Sequence, residues 1–297
     1  MNAEALLKES LDKPDLLICT GSRLYGTERY NEQGECVSDT DLRSVLLPPL
    51  PYLISLRNFD ETNGSRSSDH RIYSLHKFVS MLLKGNFQCL EMLFAPKDFI
   101  LETTEIGNEL LSMRGEFVSK LFYKAITGYS YSEWNKVRGK KLVPVKKTEN
   151  QRQAIDLMKT AFAHVGKDIL DECESSLFAG HEYIEVDSKS DVGEKRRAEY
   201  ERYGYCASAA SHALRVLYQC EELMRTGRMT FPRPEKDLLS RIKRGELSLG
   251  EIEATRTFIL DKAQTAYEKS TLPDRPNTKP IWAWYEATLL DRVRQQL

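Results

Sequence analysis

Asp39 and Asp41 stand two residues apart in "SDTDLRSVLLPP", where an apolar strand begins. In an extended chain that spacing puts Asp39, Asp41 and Arg43 on one face and turns Leu42 the other way, into a core. Two carboxylates side by side repel each other and invite a cation. Hard oxygen donors of this kind suit Mg2+, which is commonly held by one or two carboxylates together with substrate phosphates. The pair alone is a weak signal. With 44 acids in 297 residues, acid-x-acid arises by chance at roughly six or seven places in such a chain.

The order of elements strengthens it. Eighteen residues before Asp39, the run "DLLICTGSRLYGT" carries a buried strand straight into Gly21 and Ser22. The plain reading is a glycine that lets the backbone turn tightly. The alternative is a turn whose backbone N–H groups hold phosphate. A strand, a Gly-Ser turn and a second strand opening on Asp-x-Asp form the order that metal-dependent nucleotidyl transfer needs. The turn holds a triphosphate, and the carboxylates hold the metals that bridge it.

Positioning these residues requires a small sheet. Apolar runs between turn signals predict strands at about 15–20, 40–47 and 69–73. A helix is expected from near Leu75 to Gly85, and a second short one, carrying Leu90, Leu93 and Phe94, runs up to Pro96. Mixed strands and helices of this kind pack as helices on a sheet. Beyond about residue 115 the periodicity turns helical, with further segments at about 234–245 and 249–270 and a last helix after the breaker "LPDRPNTKP". Residues 171–194 hold eight acids and one lysine with poor periodicity and read as a solvated loop. The expected fold class is α+β: a front domain over 1–115 with a mixed sheet, and an all-helical domain over 116–297.

Composition bounds the rest. Forty-three basic and 44 acidic residues leave a formal charge of −1, so no global field draws the chain to nucleic acid or membrane. The six cysteines are scattered with no C-x-x-C pair, which fits free thiols in a reducing compartment. His70, His76, His164 and His181 are equally dispersed and suggest no metal site. The greasiest stretch, "VLLPPLPYLISL", is broken by three prolines and is too short to span a bilayer. With no signal-peptide pattern at the start, the expectation is a cytoplasmic protein without a membrane partner.

The chain resembles a known family. "GSRLYGT…SDTDLRSVLLPP" is similar to the "GS-x-x-YGT…SD-x-D-x-R" signature of predicted nucleotidyltransferases in the DNA-polymerase-β superfamily. "DHRIYSLHKFVSMLLKGNFQCLEMLFAP" (69–96), "FYKAITGYSYSEWNKV" (122–137) and the stretch 211–252 look like that family's later blocks. One group of its relatives is associated with RNA repair. The resemblance implies a palm-like catalytic domain with two Mg2+ ions on Asp39, Asp41 and a third carboxylate, which by position is Asp69. It also implies an NTP held by Gly21, Ser22 and Tyr25. Asp69 would complete the metal site and help deprotonate an acceptor hydroxyl; the plain alternative is an aspartate that caps a turn after "ETNGSRSS".

Arg43 has two readings, a counter-charge for the aspartates or a phosphate ligand. His212 and Arg215, three apart, share a helix face. They are either a core histidine with a surface arginine or, following the resemblance, a pair turned toward nucleotide or acceptor. The run "KVRGKKLVPVKK" holds six basic residues and no acid. Its Lys140, Lys141, Lys146 and Lys147 are candidate nucleic-acid contacts, against the ordinary reading of a solvated face. The expected reaction moves an NMP from an NTP to an acceptor hydroxyl, with an RNA end as the acceptor. Protein or small-molecule acceptors, or a nucleotide- or RNA-binding module without catalysis, are the alternatives. Arg23 and Ser44 depart from the histidine and glycine frequent in relatives.

Overall fold

The computed structural model describes residues 2–31, 33–55, 57–144, 183–187 and 193–296, and helical positions 153, 156, 157 and 159–161. Helix α1 (Ala3–Asp12) starts where the Asn2 side chain accepts from the Ala5 N–H. The strand β1 (Leu16–Thr20) is buried throughout and runs directly into α2 (Gly21–Tyr25). Then come β2 (Asp41–Leu46), α3 (Leu50–Ile54), β3 (Glu61–Asn63) and β4 (Asp69–Ser74). Ser74 and Asn86 cap α4 (Leu75–Leu83) and α5 (Phe87–Leu93) with their side-chain oxygens. Strand β5 (Ile100–Thr103) and helices α6 (Glu105–Ser112), α7 (Arg114–Phe117) and α8 (Leu121–Val137) follow. Next are β6 (Lys140–Pro144), β7 (Tyr183–Asp187) and α9 (Glu194–Tyr203). The chain closes with α10 (Ala207–Thr226), α11 (Lys236–Lys243), α12 (Leu249–Lys269) and α13 (Thr278–Gln296).

Five strands make one mixed sheet in the order β3-β4-β2-β1-β5. Only β2 and β4 run parallel; the other pairs are antiparallel. Because side chains alternate, Leu16, Ile18 and Thr20 share a face with their partners Val45, Arg43 and Asp41. The inner part of that face packs on Phe78 of α4, Leu90 of α5, Phe122 of α8 and Val216 of α10, all fully buried. Each such side chain stabilises the fold by about 1.5–3 kcal/mol. The opposite face carries Leu17, Cys19 and Leu42 against Phe99.

The chain divides into two compact units, Met1–Glu133 with Ala210–Leu297, and Trp134–Ala209. This division differs from the boundary near 115 expected from composition. Val216 shows why: the helical segment after Ala210 completes the core of the sheet. The back of the chain is also not all-helical, since β6 and β7 pair as an antiparallel ladder. Strand β7 falls in the acidic stretch read as a loop; the rest of 171–192 lies outside the described residues. Among the described residues no helix is long and apolar enough to cross a membrane.

Candidate active site

The site lies where β1 ends and β2 and β4 begin. Gly21 has φ +66°, in the left-handed region, and a Cβ there would stand 1.6 Å from Asp41 Oδ2. Two separate demands therefore exclude a side chain, the backbone angle and the approach of the carboxylate. In place of the expected tight turn, the residues after Gly21 form the short helix α2, which Gly26 ends at φ 70°.

Asp41 opens β2 and sits between Thr20 and Asp69 in the ladders. The parallel register that pairs Asp41 with Asp69 also pairs Arg43 with Arg71. Two carboxylates thus stand side by side at the strand ends, with two guanidinium groups behind them. Asp39 is placed otherwise. It precedes the first residue of β2 and is exposed, so the period-two argument that put it on the strand face does not apply. Among the described residues no three or more His, Cys, Asp or Glu side chains gather closely enough to hold a metal. The full set Asp39, Asp41 and Asp69 is therefore not assembled; the pair Asp41 and Asp69 is.

The electrostatics of the pair are unequal. Burial, then a hydrogen bond and charge repulsion from Asp69, pushes the Asp41 carboxyl up to about 6. Burial also acts upward on Asp69, but hydrogen bonds from Arg43 and Asp41 outweigh it and hold its carboxyl below the usual range. Of the two, Asp41 therefore takes the first proton, as pH falls through about 6, while Asp69 stays ionised. Arg43 Nη1 donates to Asp69 Oδ1 at 3.0 Å and to the Leu42 carbonyl at 2.8 Å. Arg43 is thus a counter-charge to Asp69, a role that does not exclude its second reading as a phosphate ligand. Arg71, which sequence reasoning missed, is less committed: its nearest carboxylate oxygen is Glu61 Oε1 at 3.9 Å. The repeat of Asp-x-Arg in "DLR" and "DHR" was the signal that could have found it. Behind Asp69, on the other sheet face, the hydroxyl of Ser44 meets His70 Nε2 at 2.7 Å. That contact gives the serine at this position a role a glycine could not fill.

Tyr25 and Arg215 turn away from the expected ligand. The Tyr25 hydroxyl donates to Glu91 Oε2 at 2.9 Å, and the Arg215 guanidinium lies 3.7 Å from the centre of the Tyr25 ring. Arg215 donates to Glu91 Oε1 and, at 2.8 Å, to Gln219 Oε1; Gln219 in turn donates to Glu91 Oε1 at 2.8 Å. Both charged side chains are about 95 % buried. Arg215 is therefore an interior ion-pair partner, neither the surface arginine nor the nucleotide-facing one considered from sequence. A buried guanidinium is retained only with such a partner, and that partner, Glu91, lies 124 residues away in the chain. His212 is half-buried beside Tyr129, with their rings 5.3 Å apart, and its Nδ1 is 4.0 Å from Glu133. Lys140 and Lys141 lie on β6 in register with Asp187 and Val186, and Lys146 and Lys147 fall outside the described residues.

A five-strand mixed sheet covered by helices, with carboxylates paired at the strand ends beside a Gly-Ser corner, is a polymerase-β-like arrangement. The model of the RNA repair pathway DNA polymerase beta family matches residues 16–279, and the chain belongs to that family. It is also similar to an uncharacterised 38.9 kDa protein from the nrdC–mobD intergenic region of Enterobacteria phage T4. The identity is 21 % over 299 residues, covering 83 % of this chain and 87 % of the phage protein. No solved structure matches the chain.

Proposed function

We propose that the chain is a Mg2+-dependent nucleotidyltransferase that moves an NMP from an NTP to an acceptor hydroxyl, with an RNA end as the acceptor. The observation that carries this reading is the register pairing of Asp41 with Asp69 while Gly21 is pressed against Asp41. In the proposed mechanism Gly21 and Ser22 hold the β and γ phosphates, the close backbone approach being the reason for the glycine. The acceptor oxygen bonds to the α-phosphorus, the bond to the bridging oxygen breaks in line, and pyrophosphate leaves. Asp69, held ionised by Arg43, accepts the hydroxyl proton.

The donor set fits Mg2+: hard carboxylate oxygens, one of which, on Asp41, binds a proton unusually tightly because it is buried and faces Asp69. Asp41 and Asp69, with Asp39 close by, would hold two such ions, which supply neutralising charge for the phosphates and the leaving group. The reading of RNA as acceptor is supported by the family's association with RNA repair.

One observation favours a second reading, a nucleotide- or RNA-binding module without catalysis. Arg43 donates through both terminal nitrogens to the very carboxylate that should take the proton. The test is incubation with each labelled NTP, Mg2+ and RNA, DNA and protein acceptors. Transfer of label to an RNA 3′ hydroxyl is expected. Label on protein would replace the acceptor, and NTP binding with no transfer to anything would establish the second reading.

A further inference from the structure

Helix α2 is too short to hold its own position. A helix of five residues is far below the length at which backbone hydrogen bonds alone maintain it, so its placement depends on what grips it. Its buried residue Leu24 anchors one side. The grip at its end is polar and specific: the Tyr25 hydroxyl reaches Glu91 on α5, and Glu91 is held from behind by Arg215 and Gln219 on α10. The Arg215 guanidinium then lies over the Tyr25 ring, closing the loop of contacts. All of these partners are interior: Gln219 is 0 %, Glu91 3 % and Arg215 5 % exposed. None of them can touch a bound nucleotide through solvent. Yet Tyr25 is only three residues from Ser22 and four from Gly21, whose distance to the Asp41 carboxylate leaves no room for a methyl group.

We propose that Glu91, Arg215 and Gln219 are positioning residues of the nucleotide site: acting through Tyr25, they fix the Gly21–Ser22 corner against Asp41 and so set affinity for the NTP phosphates. The inference rests on the phosphate-binding role proposed above for that corner. It replaces a direct role for Arg215 with an indirect one, and it extends the site to interior side chains of two further helices. A buried carboxylate with three donors in fixed directions is a stiff support, because any displacement of α2 leaves Glu91 Oε2 without a partner in a low-dielectric interior.

The experiment measures Kd for Mg·ATP, Mg·GTP, Mg·CTP and Mg·UTP by calorimetry in wild type, Tyr25→Phe and Gln219→Leu, together with each protein's melting temperature. Tyr25→Phe keeps the ring over Arg215 and removes only the hydroxyl. Gln219→Leu removes one donor to Glu91 from a side chain remote from any ligand. Both are expected to bind the preferred nucleotide about tenfold more weakly, equal to about 1.4 kcal/mol, at a temperature where both remain folded. A merely structural network would lower the melting temperature and leave Kd unchanged in both, which overturns the proposal. Weakening in Tyr25→Phe alone would also overturn it, since the phenol would then be touching the nucleotide directly. Wild-type protein that binds no nucleotide would instead remove the underlying assignment of the corner, an outcome visible before any variant is made.

Discussion

Replacing Gly21 by alanine separates the two reasons for that glycine. The φ of +66° costs an L-residue about 1–2 kcal/mol. The new methyl carbon would also stand 1.6 Å from Asp41 Oδ2, 2.5 Å from its Cγ and 2.9 Å from its Cβ. Relief requires the carboxylate to swing off Asp69 or the corner to move outward, and crowding of this kind costs about 1–3 kcal/mol more. Gly21→Ala is therefore expected to lose about 2–5 kcal/mol in urea unfolding at pH 7 without metal. In an Asp41→Gly background the Oδ2, Cγ and Cβ atoms are all gone and only the backbone cost of about 1–2 kcal/mol should remain. The double-mutant cycle should then show about 1–3 kcal/mol of coupling. Additive effects, within about 0.5 kcal/mol, would mean that Gly21 serves its backbone angle alone and that the packing against Asp41 carries no energy.

The pH dependence of the metal-free protein follows from Asp41. Its carboxyl is raised to about 6 from 3.8, so the folded state binds the proton more tightly. That stabilisation is full below about pH 4 and is lost as pH rises through about 6. Its size is at most about 3 kcal/mol, reduced by the partial solvation of the site. Asp41→Asn should flatten this fall, melt higher than wild type at pH 7 and abolish NMP transfer; an unfolded or fully active variant would sink the assignment. Arg233 is 2 % exposed and donates to Glu222 and Glu235. Arg233→Ala should cost about 3–5 kcal/mol in denaturant unfolding by stranding those acids, and a loss below about 1 kcal/mol would contradict a buried ion-pair role. Neutralising Lys140, Lys141, Lys146 and Lys147 should lower the slope of log affinity for RNA against log salt by about 0.7–0.9 per lost phosphate contact; an unchanged slope returns the run to a solvated face.

The parts of the site that were legible from sequence are those fixed by local pattern. β1, β2 and β4 fall close to their expected ranges: β1 is an apolar run between polar residues, and β2 and β4 each open on an aspartate and bury alternate residues at their start. The helices after Ser74 and Asn86 follow from caps and period. The rest was set by distant partners. Nothing near Arg215 in the chain announces Glu91, so spacing alone left the arginine between surface and ligand. Asp39 matched the strand period, yet the ladder begins only at Asp41, where Thr20 and Asp69 supply partners on both sides. The edge strands β3 and β5 have three and four residues, too few for alternation to stand out. Helix α2 read as a turn because a five-residue helix carries little periodicity of its own.

The order of synthesis meets a difficulty in the buried network. Glu91 emerges from the ribosome 124 residues before Arg215, an interval of roughly 6–25 s at 5–20 residues per second. Throughout that time the carboxylate destined for the interior has no cation, and the sheet lacks Val216 and the rest of α10 from its core. The growing chain must therefore keep Glu91 hydrated, with α5 only loosely seated, until the second half of the unit arrives. Closing the Gly21–Ser22 corner becomes one of the last events of folding, so a chain truncated before Arg215 would expose an unfinished sheet.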